Sequence, residues 1–456
     1  MRITLAVVGG GIGGTSASYF LRELFGPNGV HIDLFEPNKI GGRLAVTEIN
    51  GRDYDVGGAV IHPRNKYMVD FLKLLGLKKR KSRYSKLGLY NGREFVFTES
   101  DWEVITFAKL VWRYGYDAIK LHNYIGDMLD KFEKIYALQA NGKSFSSVLD
   151  ILNAMSPQFV EYMHISTKDG FKEHGFSERI IDELVSATLT VNYGQSTSVH
   201  KFVGSVSVAG ADGGLWAVHG GNSIVPQMLL ERSQATLISA TVTNITLRPE
   251  AEDFVVGCLH GKDFTSSVYD IVIIATPLTE DTQPNLQFTN FPRSITFPGV
   301  YHRTVCTIVH GKLNFTHFGF KDQKDTIDEI LSISQGLLFS SIGRLNPVDY
   351  EPSEGVFDVW KVFSQKPLTK LQLNTLFLDQ KNVKVIDWLA YPHYQTERRR
   401  GEFILHKNLF HINAIEWAAS AMEMSVIGAK NVGLLSYKAW TGKNETEAVE
   451  NMKVEL

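Results

Sequence analysis

Residues 3–21 read ITLAVVGGGIGGTSASYFL, and this stretch decides the fold class. An apolar run of strand length leads into a Gly-x-Gly-x-x-Gly turn at Gly9, Gly11 and Gly14, and apolar residues then recur at helical spacing. In a dinucleotide-binding unit such glycines permit the turn, the close approach of a pyrophosphate and the packing of helix on strand. A purely structural glycine turn is the alternative. The pattern predicts a strand, a turn and a helix, with these glycines and Gly13 as cofactor contacts.

A second strand ends in an acidic residue. Residues 31–35 read HIDLF, and Glu36 follows them, 22 residues beyond Gly14. At this distance a dinucleotide-binding unit places a carboxylate against a ribose diol, so we predict that Glu36 binds the adenosine ribose. A solvated charge at a strand end is the alternative. A carboxylate here disfavours a 2′-phosphate, which favours FAD or NAD over NADP.

Residues 36–43 read EPNKIGGR and resemble the acid, spacer and Gly-Gly-Arg pattern of FAD-dependent amine oxidases and their relatives. The resemblance implies glycines that bring the backbone close to the pyrophosphate. It also implies that Arg43 offers a delocalised cation with several hydrogen-bond donors. We therefore expect Gly42 and Arg43 to contact the cofactor, and we expect FAD rather than NAD.

The chain length of 456 residues exceeds one ordinary hydrophobic core and favours two domains. The predicted fold class is α/β, with a Rossmann-type FAD-binding domain interleaved with a substrate domain of mixed sheet and helices, as in amine oxidases and GDP dissociation inhibitors. The predicted FAD-binding domain comprises 1–75, 196–280 and 402–440, the substrate-binding domain 76–195 and 281–401, and the C-terminal tail 441–456.

The composition excludes several classes of protein. With 47 basic and 49 acidic residues and a pI near 6.7, the chain has no nucleic-acid-binding character. No apolar run reaches 18 residues, so no membrane span is predicted. The first strand starts at Ile3, which leaves no room for a signal peptide in this numbering. Cys258 and Cys306 lie in apolar, strand-like surroundings and are expected to be buried free thiols. No metal site is predicted.

Residues 53–63 read DYDVGGAVIHP and resemble the loop that passes beside the isoalloxazine ring in amine and polyamine oxidases. The resemblance implies that Gly57, Gly58 and Ala59 contact the flavin. It also implies that His62 lines the substrate side, because polyamine oxidases carry a histidine at this position. A hydrogen-bonded turn histidine before a proline is the alternative for His62.

Later segments match further parts of the cofactor domain in the same superfamily. In residues 237–245, a predicted strand, Val242 matches the residue whose backbone holds adenine. Residues 270–277 form an apolar strand that ends in Ala-Thr-Pro, which makes Thr276 a cofactor contact. Residues 409–416 are predicted to be a strand that ends in Glu416, the candidate for the flavin ribityl chain. A helix from Met422 to residue 435 then points its N-terminus at the pyrimidine ring.

Two further segments concern the substrate side. Residues 191–196, VNYGQS, predict a loop for which a structural turn is the favoured interpretation, with contact of Tyr193 and Gln195 to the substrate as the alternative. Residues 304–307 correspond to the strand that offers a lysine near the flavin in monoamine and polyamine oxidases. The chain has no lysine there, which argues against ordinary amine oxidation.

The region from 102 to 138 is predicted to form one or two helices and is unusually aromatic. Its aromatic and aliphatic residues are too widely distributed for one narrow stripe. Helices buried between domains are the favoured interpretation. A wall for a long hydrocarbon ligand and a surface that rests on a membrane are the alternatives. The residues concerned are Trp102, Ile105, Phe107, Leu110, Val111, Trp112, Tyr114 and Tyr116.

Across almost its full length the chain resembles the prenylcysteine oxidases, lysosomal flavoproteins that degrade prenylated cysteine. Phrases that carry the resemblance are VIHP at 60–63, LVWRYG at 110–115, VNYGQST at 191–197, WLAYPHY at 388–394 and AASAMEM at 418–424. The resemblance implies an FAD-dependent thioether oxidase that uses O2 and water to convert farnesyl- or geranylgeranyl-cysteine into cysteine, a prenyl aldehyde and H2O2. A prenylcysteine oxidase-like paralogue shares many of these phrases.

The same resemblance implies a lysosomal or secretory location, for which the sequons at Asn244, Asn314 and Asn444 leave glycosylation open. It implies no nucleic-acid partner and allows peripheral contact with a membrane, while the oligomeric state stays open. A non-catalytic prenyl-binding protein similar to the GDP dissociation inhibitors is an alternative. Another flavin amine oxidase or desaturase is a second alternative.

Overall fold

The structure is a computed structural model, and it describes residues 2–83, 85–211, 213–282, 285–334, 336–396 and 401–442. Nearly all of the predicted C-terminal tail, and the sequon at Asn444, lie outside these residues. Within them the strands are β1 Ile3–Val8, β2 Val30–Phe35, β3 Val46–Ile49, β4 Arg52–Asp55, β5 Leu87–Tyr90, β6 Phe95–Thr98, β7 Thr236–Ile238, β8 Thr241–Arg248, β9 Asp253–His260, β10 Asp263–Tyr269, β11 Ile271–Ile274, β12 Gln287–Thr289, β13 Tyr301–Leu313, β14 Glu329–Ser332, β15 Ser341–Arg344, β16 Val359–Ser364, β17 Phe377–Pro392, β18 Ile404–His406 and β19 Leu409–His411.

The α-helices of the described residues connect and cover these strands. They are α1 Ile12–Phe25, α2 Lys66–Leu74, α3 Glu103–Tyr114, α4 Tyr116–Phe132, α5 Lys134–Ala140, α6 Val148–Met155, α7 Pro157–Tyr162, α8 Thr167–Glu173, α9 Glu178–Ile180, α10 Ser186–Tyr193, α11 Lys201–Ala209, α12 Ile224–Ser233, α13 Lys370–Leu376 and α14 Met422–Thr441. A π-helical turn, Ile181–Val185, joins α9 to α10, and a 3₁₀ helix, Ile412–Trp417, lies between β19 and α14.

A six-stranded sheet of order β18-β19-β11-β1-β2-β7 carries the predicted cofactor turn. β1 lies between β11 and β2 and is parallel to both. Its residues are almost all buried, as expected for a strand covered on both faces. α1 packs against α12 and α14. This doubly covered parallel sheet confirms the predicted Rossmann-type architecture.

Two other sheets complete the mixed α/β fold. A four-stranded sheet of order β10-β9-β8-β12 shares a hydrophobic core with β1 and β2. A seven-stranded sheet of order β17-β13-β16-β15-β14-β5-β6 mixes parallel and antiparallel pairs, and its long antiparallel β13–β17 pair reaches back toward the cofactor turn. The predicted domain boundaries stay a prediction.

Two predicted strands are wrong in part. The strand expected over 409–416 ends at His411, and Glu416 lies in the following 3₁₀ helix. The strand expected over 237–245 is divided into β7 and β8, which belong to different sheets. β7 pairs with β2, whereas β8 pairs with β9 and β12, so tertiary pairing divides the second segment, which its local pattern could not mark.

The interpretation of 102–138 as helices buried between domains is wrong for α3. Its residues Val104, Phe107 and Trp112 are exposed, and so is Trp102 immediately before it. Cys258 and Cys306 are buried free thiols, which confirms that prediction. Among the helices of the described residues, none is both long and apolar enough to cross a membrane.

Candidate functional site

The turn between β1 and α1 needs glycine at two positions. Gly9 has a φ of +113°, and a Cβ atom there would lie 2.6 Å from the carbonyl oxygen of Ala275. A Cβ on Gly14 would lie 1.9 Å from the carbonyl oxygen of Gly9. Gly11 differs, because the nearest atom to a Cβ there is the carbonyl oxygen of Gly41 at 3.9 Å. Gly9 and Gly14 are therefore fixed by packing, whereas Gly11 faces open space.

That open space adjoins the N-terminus of α1. No side chain caps this helix, and its first turn contains no acidic residue, so its first amides are available to an anion. Gly42 continues the same surface, because a Cβ there would lie 3.3 Å from the Cα atom of Gly11. On Gly13, a Cβ would lie 3.4 Å from the Ile412 side chain and 3.9 Å from Ser425 in α14. The glycines thus form a cradle that a phosphate group fits.

Glu36 lies beside the glycine turn. Its Oε2 accepts a hydrogen bond from the Gly10 amide at 2.9 Å, and its Oε1 accepts one from the Asn38 amide at 2.9 Å. A carboxylate has about four acceptor positions, so both oxygens keep capacity for the hydroxyl groups of a ribose. The carboxylate is held by the backbone, and its ribose contact stays a prediction.

Arg43 and Glu416 form an ion pair although 373 residues separate them. Nη1 of Arg43 donates to Oε2 of Glu416 at 3.0 Å and to the carbonyl oxygen of Ala390 at 2.5 Å, and Nη2 donates to Oε1 of Glu416. The Glu416 side chain is 1% exposed and that of Arg43 is 31% exposed. Burial acts to lower the pKa of Arg43, but the charge and hydrogen bonds of Glu416 outweigh it and raise this pKa.

Glu416 has two further partners that the sequence did not reveal. The Tyr301 hydroxyl donates to Oε2 at 2.7 Å, and the Asn413 amide nitrogen donates to Oε1 at 2.8 Å. Burial, followed by the negative charge of Glu416, raises the pKa of Tyr301 well above its ordinary value. Asn413 is one turn of 3₁₀ helix from Glu416, a relation that the predicted strand concealed. No sequence signal connects Tyr301, at the start of β13, with this carboxylate.

The loop at 57–59 lies against Arg43. A Cβ on Gly57 would lie 1.8 Å from the carbonyl oxygen of Arg43, and the Gly58 amide donates to that oxygen at 3.1 Å. A Cβ on Gly58 would lie 3.9 Å from Met422, the first residue of α14. Gly58 is exposed and Ala59 is half-buried, so this loop keeps a face available to a ligand.

The acidic residue in the first turn of α14 is directed away from this face. Glu423 is 2% exposed, and its carboxylate accepts hydrogen bonds from the amides of Tyr67 and Met68 at 2.8 and 3.0 Å and from the Tyr136 hydroxyl at 2.8 Å. Burial raises the pKa of Glu423 to about 7, against the lowering effect of these donors. No side chain caps α14, so its first amides remain available at Met422.

Val242 and Thr276 lie at the edge of the glycine turn. Val242, in β8, belongs to the hydrophobic cluster that also contains Val8 and Phe35 at the ends of β1 and β2. The amide nitrogen of Thr276 would lie 3.2 Å from a Cβ on Gly9. Both residues are therefore close to the turn, and their contacts with a cofactor stay a prediction.

Tyr193 ends α10 and is 4% exposed. Its hydroxyl donates to the carbonyl oxygen of Ser420 at 3.2 Å, and its ring forms edge-to-face contacts with Tyr391 and Tyr394 at 5.3 and 5.4 Å between centroids. Nη1 of Arg43 also approaches the Ser420 hydroxyl at 3.4 Å. The structure thus brings Tyr193 next to the Arg43–Glu416 pair, where it packs against two tyrosines. Its contact with a substrate stays a prediction.

A histidine that sequence reasoning missed stacks on this aromatic group. The His302 ring lies 5.8 Å from the Tyr391 ring at 10° and 6.1 Å from the His393 ring at 19°. The Thr304 hydroxyl donates to the Tyr391 hydroxyl at 2.9 Å. Burial, and then His393, lowers the pKa of His302 to about 4. His302 is therefore neutral at neutral pH.

His62 has the hydrogen bonds of a turn. Its backbone amide donates to the Asn65 side chain at 2.7 Å, and its Nδ1 accepts from the Arg64 amide at 3.1 Å. These contacts fit the alternative of a hydrogen-bonded turn histidine, and a role toward substrate stays a prediction. In the part of the chain that the structure describes, no three His, Cys, Asp or Glu residues form a group that could hold a metal ion.

Comparisons with known proteins extend the resemblance seen in the sequence. A sequence-family model described as prenylcysteine lyase matches residues 97–451, and a model described as an NAD(P)-binding Rossmann-like domain matches residues 7–75. Human prenylcysteine oxidase 1 is 42% identical over 472 aligned positions, which cover 99% of this chain and 93% of that protein. Human prenylcysteine oxidase 1-like is 38% identical over 449 positions, which cover 96% and 90%.

Among solved structures, cyclohexylamine oxidase from Brevibacterium oxydans IH-35A resembles this fold with a TM-score of 0.60 at 13% identity. The match covers 96% of this chain and 99% of that chain. At so low an identity the likeness concerns the fold alone, and it agrees with the α/β architecture described above.

Proposed function

The chain belongs to the prenylcysteine lyase family, which matches most of its length, and we propose that it is an FAD-dependent thioether oxidase acting on prenyl-L-cysteine. The products are cysteine, a prenyl aldehyde and H2O2, formed with one O2 and one water. The observation that supports the proposal is the grouping of Glu36, Gly11 and the Arg43–Glu416 pair around the glycine turn, in a chain 42% identical to human prenylcysteine oxidase 1.

The residues present fit FAD. Glu36 holds the adenosine ribose, and the amides at the start of α1, with Gly11 and Gly42, hold the pyrophosphate. Arg43 adds positive charge beside them, and it is exposed enough to do so. Glu416 would hold the ribityl chain. The loop at 57–59 and the start of α14 at Met422 would adjoin the ring, because amides at a helix N-terminus stabilise the negative charge that a flavin gains on reduction.

The substrate favours oxidation at its own C1 atom. This carbon is allylic and bonded to sulfur, so loss of a hydride leaves a cation that the alkene and the sulfur share. Water adds there, and the hemithioacetal collapses with cleavage of the C–S bond, giving the cysteine thiol and the aldehyde. Bound FAD supplies the acceptor for the two electrons, which O2 then removes as H2O2.

The protein mainly binds and orients the substrate in this reaction. Tyr193, Tyr391 and Tyr394 present an aromatic wall beside the Arg43–Glu416 pair. His302 is kept neutral beside them, so the wall adds no positive charge that would oppose an allylic cation. Little acid–base assistance is needed before water adds.

Anaerobic mixing of the purified protein with farnesylcysteine tests the proposal directly. We expect bleaching of the visible flavin absorbance, which air reverses with release of H2O2 and farnesal. A flavin that stays yellow with farnesyl- and geranylgeranyl-cysteine would contradict the activity. Protein that is colourless as isolated, and does not take up FAD, would instead indicate a binding protein.

The catalytic assignment of His62 needs its own test. As a hypothesis, His62 orients the substrate or assists the attacking water. His62→Gln should then lower kcat at least about tenfold while the flavin spectrum and content stay unchanged. Unchanged turnover would remove His62 from the mechanism.

We also propose a lysosomal or secretory location, which rests on the family resemblance. The sequon at Asn314 lies in a half-buried turn directly after β13. Protein expressed in animal cells should colocalise with a lysosomal or secretory marker and should lose mass when treated with peptide N-glycosidase. A diffuse distribution without a mass change would contradict this location.

A further inference from the structure

The outer face of α3 is an unpartnered apolar surface. Trp112 is 88% exposed, Val104 81% and Trp102, immediately before the helix, 70%. Ile105 and Phe107 are also exposed, and Tyr116 continues the surface into α4. We call this set, Trp102, Val104, Ile105, Phe107, Trp112 and Tyr116, the α3 face. Its size and continuity exceed what isolated surface residues explain.

The opposite side of α3 is firmly attached to the protein. Leu110 packs in a hydrophobic cluster with Phe97 and Leu331. Arg113 forms a two-pronged ion pair with Glu183 at 2.6 and 2.7 Å, and the Tyr114 hydroxyl donates to the same carboxylate at 2.9 Å. Since these contacts fix the rotation of the helix, the α3 face is held outward by the fold.

Charges of both signs border the α3 face: Asp101 and Glu103 are exposed on either side of Trp102, and basic residues lie farther along the helix. Lys109, on the flank of the helix, donates to the carbonyl oxygen of Thr98 at 3.0 Å. Arg179 donates to the carbonyl oxygen of Arg113 at 3.3 Å, and both arginines line an open cleft of about 520 Å³ beside Tyr116. Asp117 in this cleft is occupied by Lys120 and by the Ser177 amide.

These features match a bilayer surface. Indole and phenol rings prefer the boundary between hydrocarbon and headgroups, and here they lie at the two ends of a short apolar helix face. A helix of 12 residues is about 18 Å long, too short to cross a bilayer but suited to lie in its plane. Basic side chains at the edge complement anionic headgroups.

We propose that the α3 face inserts into the surface of a lipid bilayer that contains anionic phospholipid. Leu110, behind the face, shares its cluster with Val191, two residues before Tyr193. The docked surface therefore covers the helices that lead to the candidate site. This places the protein where a prenyl compound dissolved in a membrane can reach it. The docking itself does not depend on the proposed activity.

Flotation with vesicles that contain no prenyl compound tests the docking. Purified holoprotein is mixed with vesicles of phosphatidylcholine and a minor fraction of phosphatidylserine. Trp112→Glu and Val104→Glu alter exposed positions, so folding should be unchanged, which the flavin spectrum and melting temperature check. Leu371→Glu is the matched control, because Leu371 is 76% exposed on α13, which leads into β17 at the sheet edge opposite β6.

We expect the wild type and Leu371→Glu to float with the vesicles, and each α3 variant to lose at least about tenfold in partitioning. Lipids with brominated acyl chains should quench tryptophan fluorescence in the wild type and less in Trp112→Phe. Failure of the wild type to float, or equal flotation of the α3 variants, would overturn the proposal. A wild-type dimer that Trp112→Glu converts to a monomer, without flotation, would show that a second copy covers the face.

Discussion

Glu416 is a buried carboxylate that accepts hydrogen bonds from several side chains of the candidate site. It receives hydrogen bonds from Arg43 and Tyr301, which are distant in sequence, and from Asn413 in its own 3₁₀ helix. These donors replace the hydration that this carboxylate, 1% exposed, loses on burial. The proposed contact of Glu416 with the ribityl chain would make stability and cofactor binding depend on the same residue.

Glu416→Gln should therefore weaken both properties. The amide cannot balance the Arg43 charge and presents a donor where Arg43 donates. We expect a loss of about 2 kcal/mol in the free energy of unfolding, less than for a fully buried pair because Arg43 is 31% exposed. Flavin content after purification should also fall.

Tyr301→Phe is the matched control, because it removes one hydrogen bond to the same carboxylate and leaves the ion pair. It should cost about 1 kcal/mol by chemical denaturation. Equal losses for the two variants would contradict the dominant role of the ion pair.

Variants at the glycine turn can separate the effect of a glycine on packing from its effect on cofactor binding. Gly11 has an extended backbone, with a φ of −75°, and a Cβ there meets nothing closer than 3.9 Å. Gly11→Ala should thus fold with nearly unchanged stability but lose most FAD binding, because its methyl group occupies the cradle. Titration of apoprotein with FAD, followed by flavin fluorescence, measures this effect.

Gly14→Ala provides the contrast, since its Cβ would lie 1.9 Å from the carbonyl oxygen of Gly9. That variant should be destabilised by several kcal/mol, on the order of 3, because backbone must move. If Gly11→Ala binds FAD as tightly as the wild type, the pyrophosphate does not approach at Gly11.

At the scale of elements, α14 and α2 are joined by Glu423, whose carboxylate accepts the first amides of α2. Burial raises the pKa of Glu423 from its ordinary value of 4.5 to about 7, so the folded state binds this proton more tightly than the unfolded state. Its contribution to stability is therefore fully present below about pH 4.5 and is lost as the pH rises toward 7.

Glu423→Gln should remove this pH dependence. Between pH 5 and pH 7 the wild type should lose about 2 kcal/mol more in the free energy of unfolding than the variant does. Urea denaturation at several pH values gives the free energy of unfolding of the wild type and the variant as a function of pH. Only the change with pH is compared, so hydrogen bonds that the amide of the variant fails to make at every pH do not affect the result. Parallel profiles would contradict the assignment to Glu423.

Local elements of the site were predictable from the sequence, and contacts between elements were not. The glycine turn and the acid after β2 follow from patterns within about 35 residues, because one strand, one turn and one helix determine them. Tyr301 reaches Glu416 through the pairing of β13 with β17, which no local pattern encodes. The exposure of α3 was missed for a different reason, since the polar side of this helix, with Thr106 and Arg113, faces the protein and the apolar side faces outward.

At the scale of the whole molecule, segments distant in sequence converge on one cofactor region. β1, β11 and β19 are neighbours in one sheet, and β17, which pairs with β13, contacts Arg43 through Ala390. The sequence signatures of the cofactor domain are spread along the chain in the same way. Their combination was informative because each signature is common alone.

Removal of FAD should consequently affect the entire protein. In the proposed binding mode, one FAD molecule contacts residues around Gly11, Arg43, Glu416 and Met422. These residues belong to segments that are far apart in sequence, so the bound cofactor connects them. At a free FAD concentration of about 1,000 times Kd, binding adds about 4 kcal/mol to the free energy of unfolding. Deflavinated protein should melt several degrees lower, and added FAD should restore the melting temperature.

The Gly11→Ala variant supplies the decisive comparison for this effect. Because it is expected to fold but not to bind FAD, its melting temperature should equal that of deflavinated wild type and should not respond to added FAD. Any ligand that binds the folded state preferentially raises the melting temperature. Equal melting temperatures of holo and deflavinated wild type would therefore contradict the presence of a tightly bound FAD.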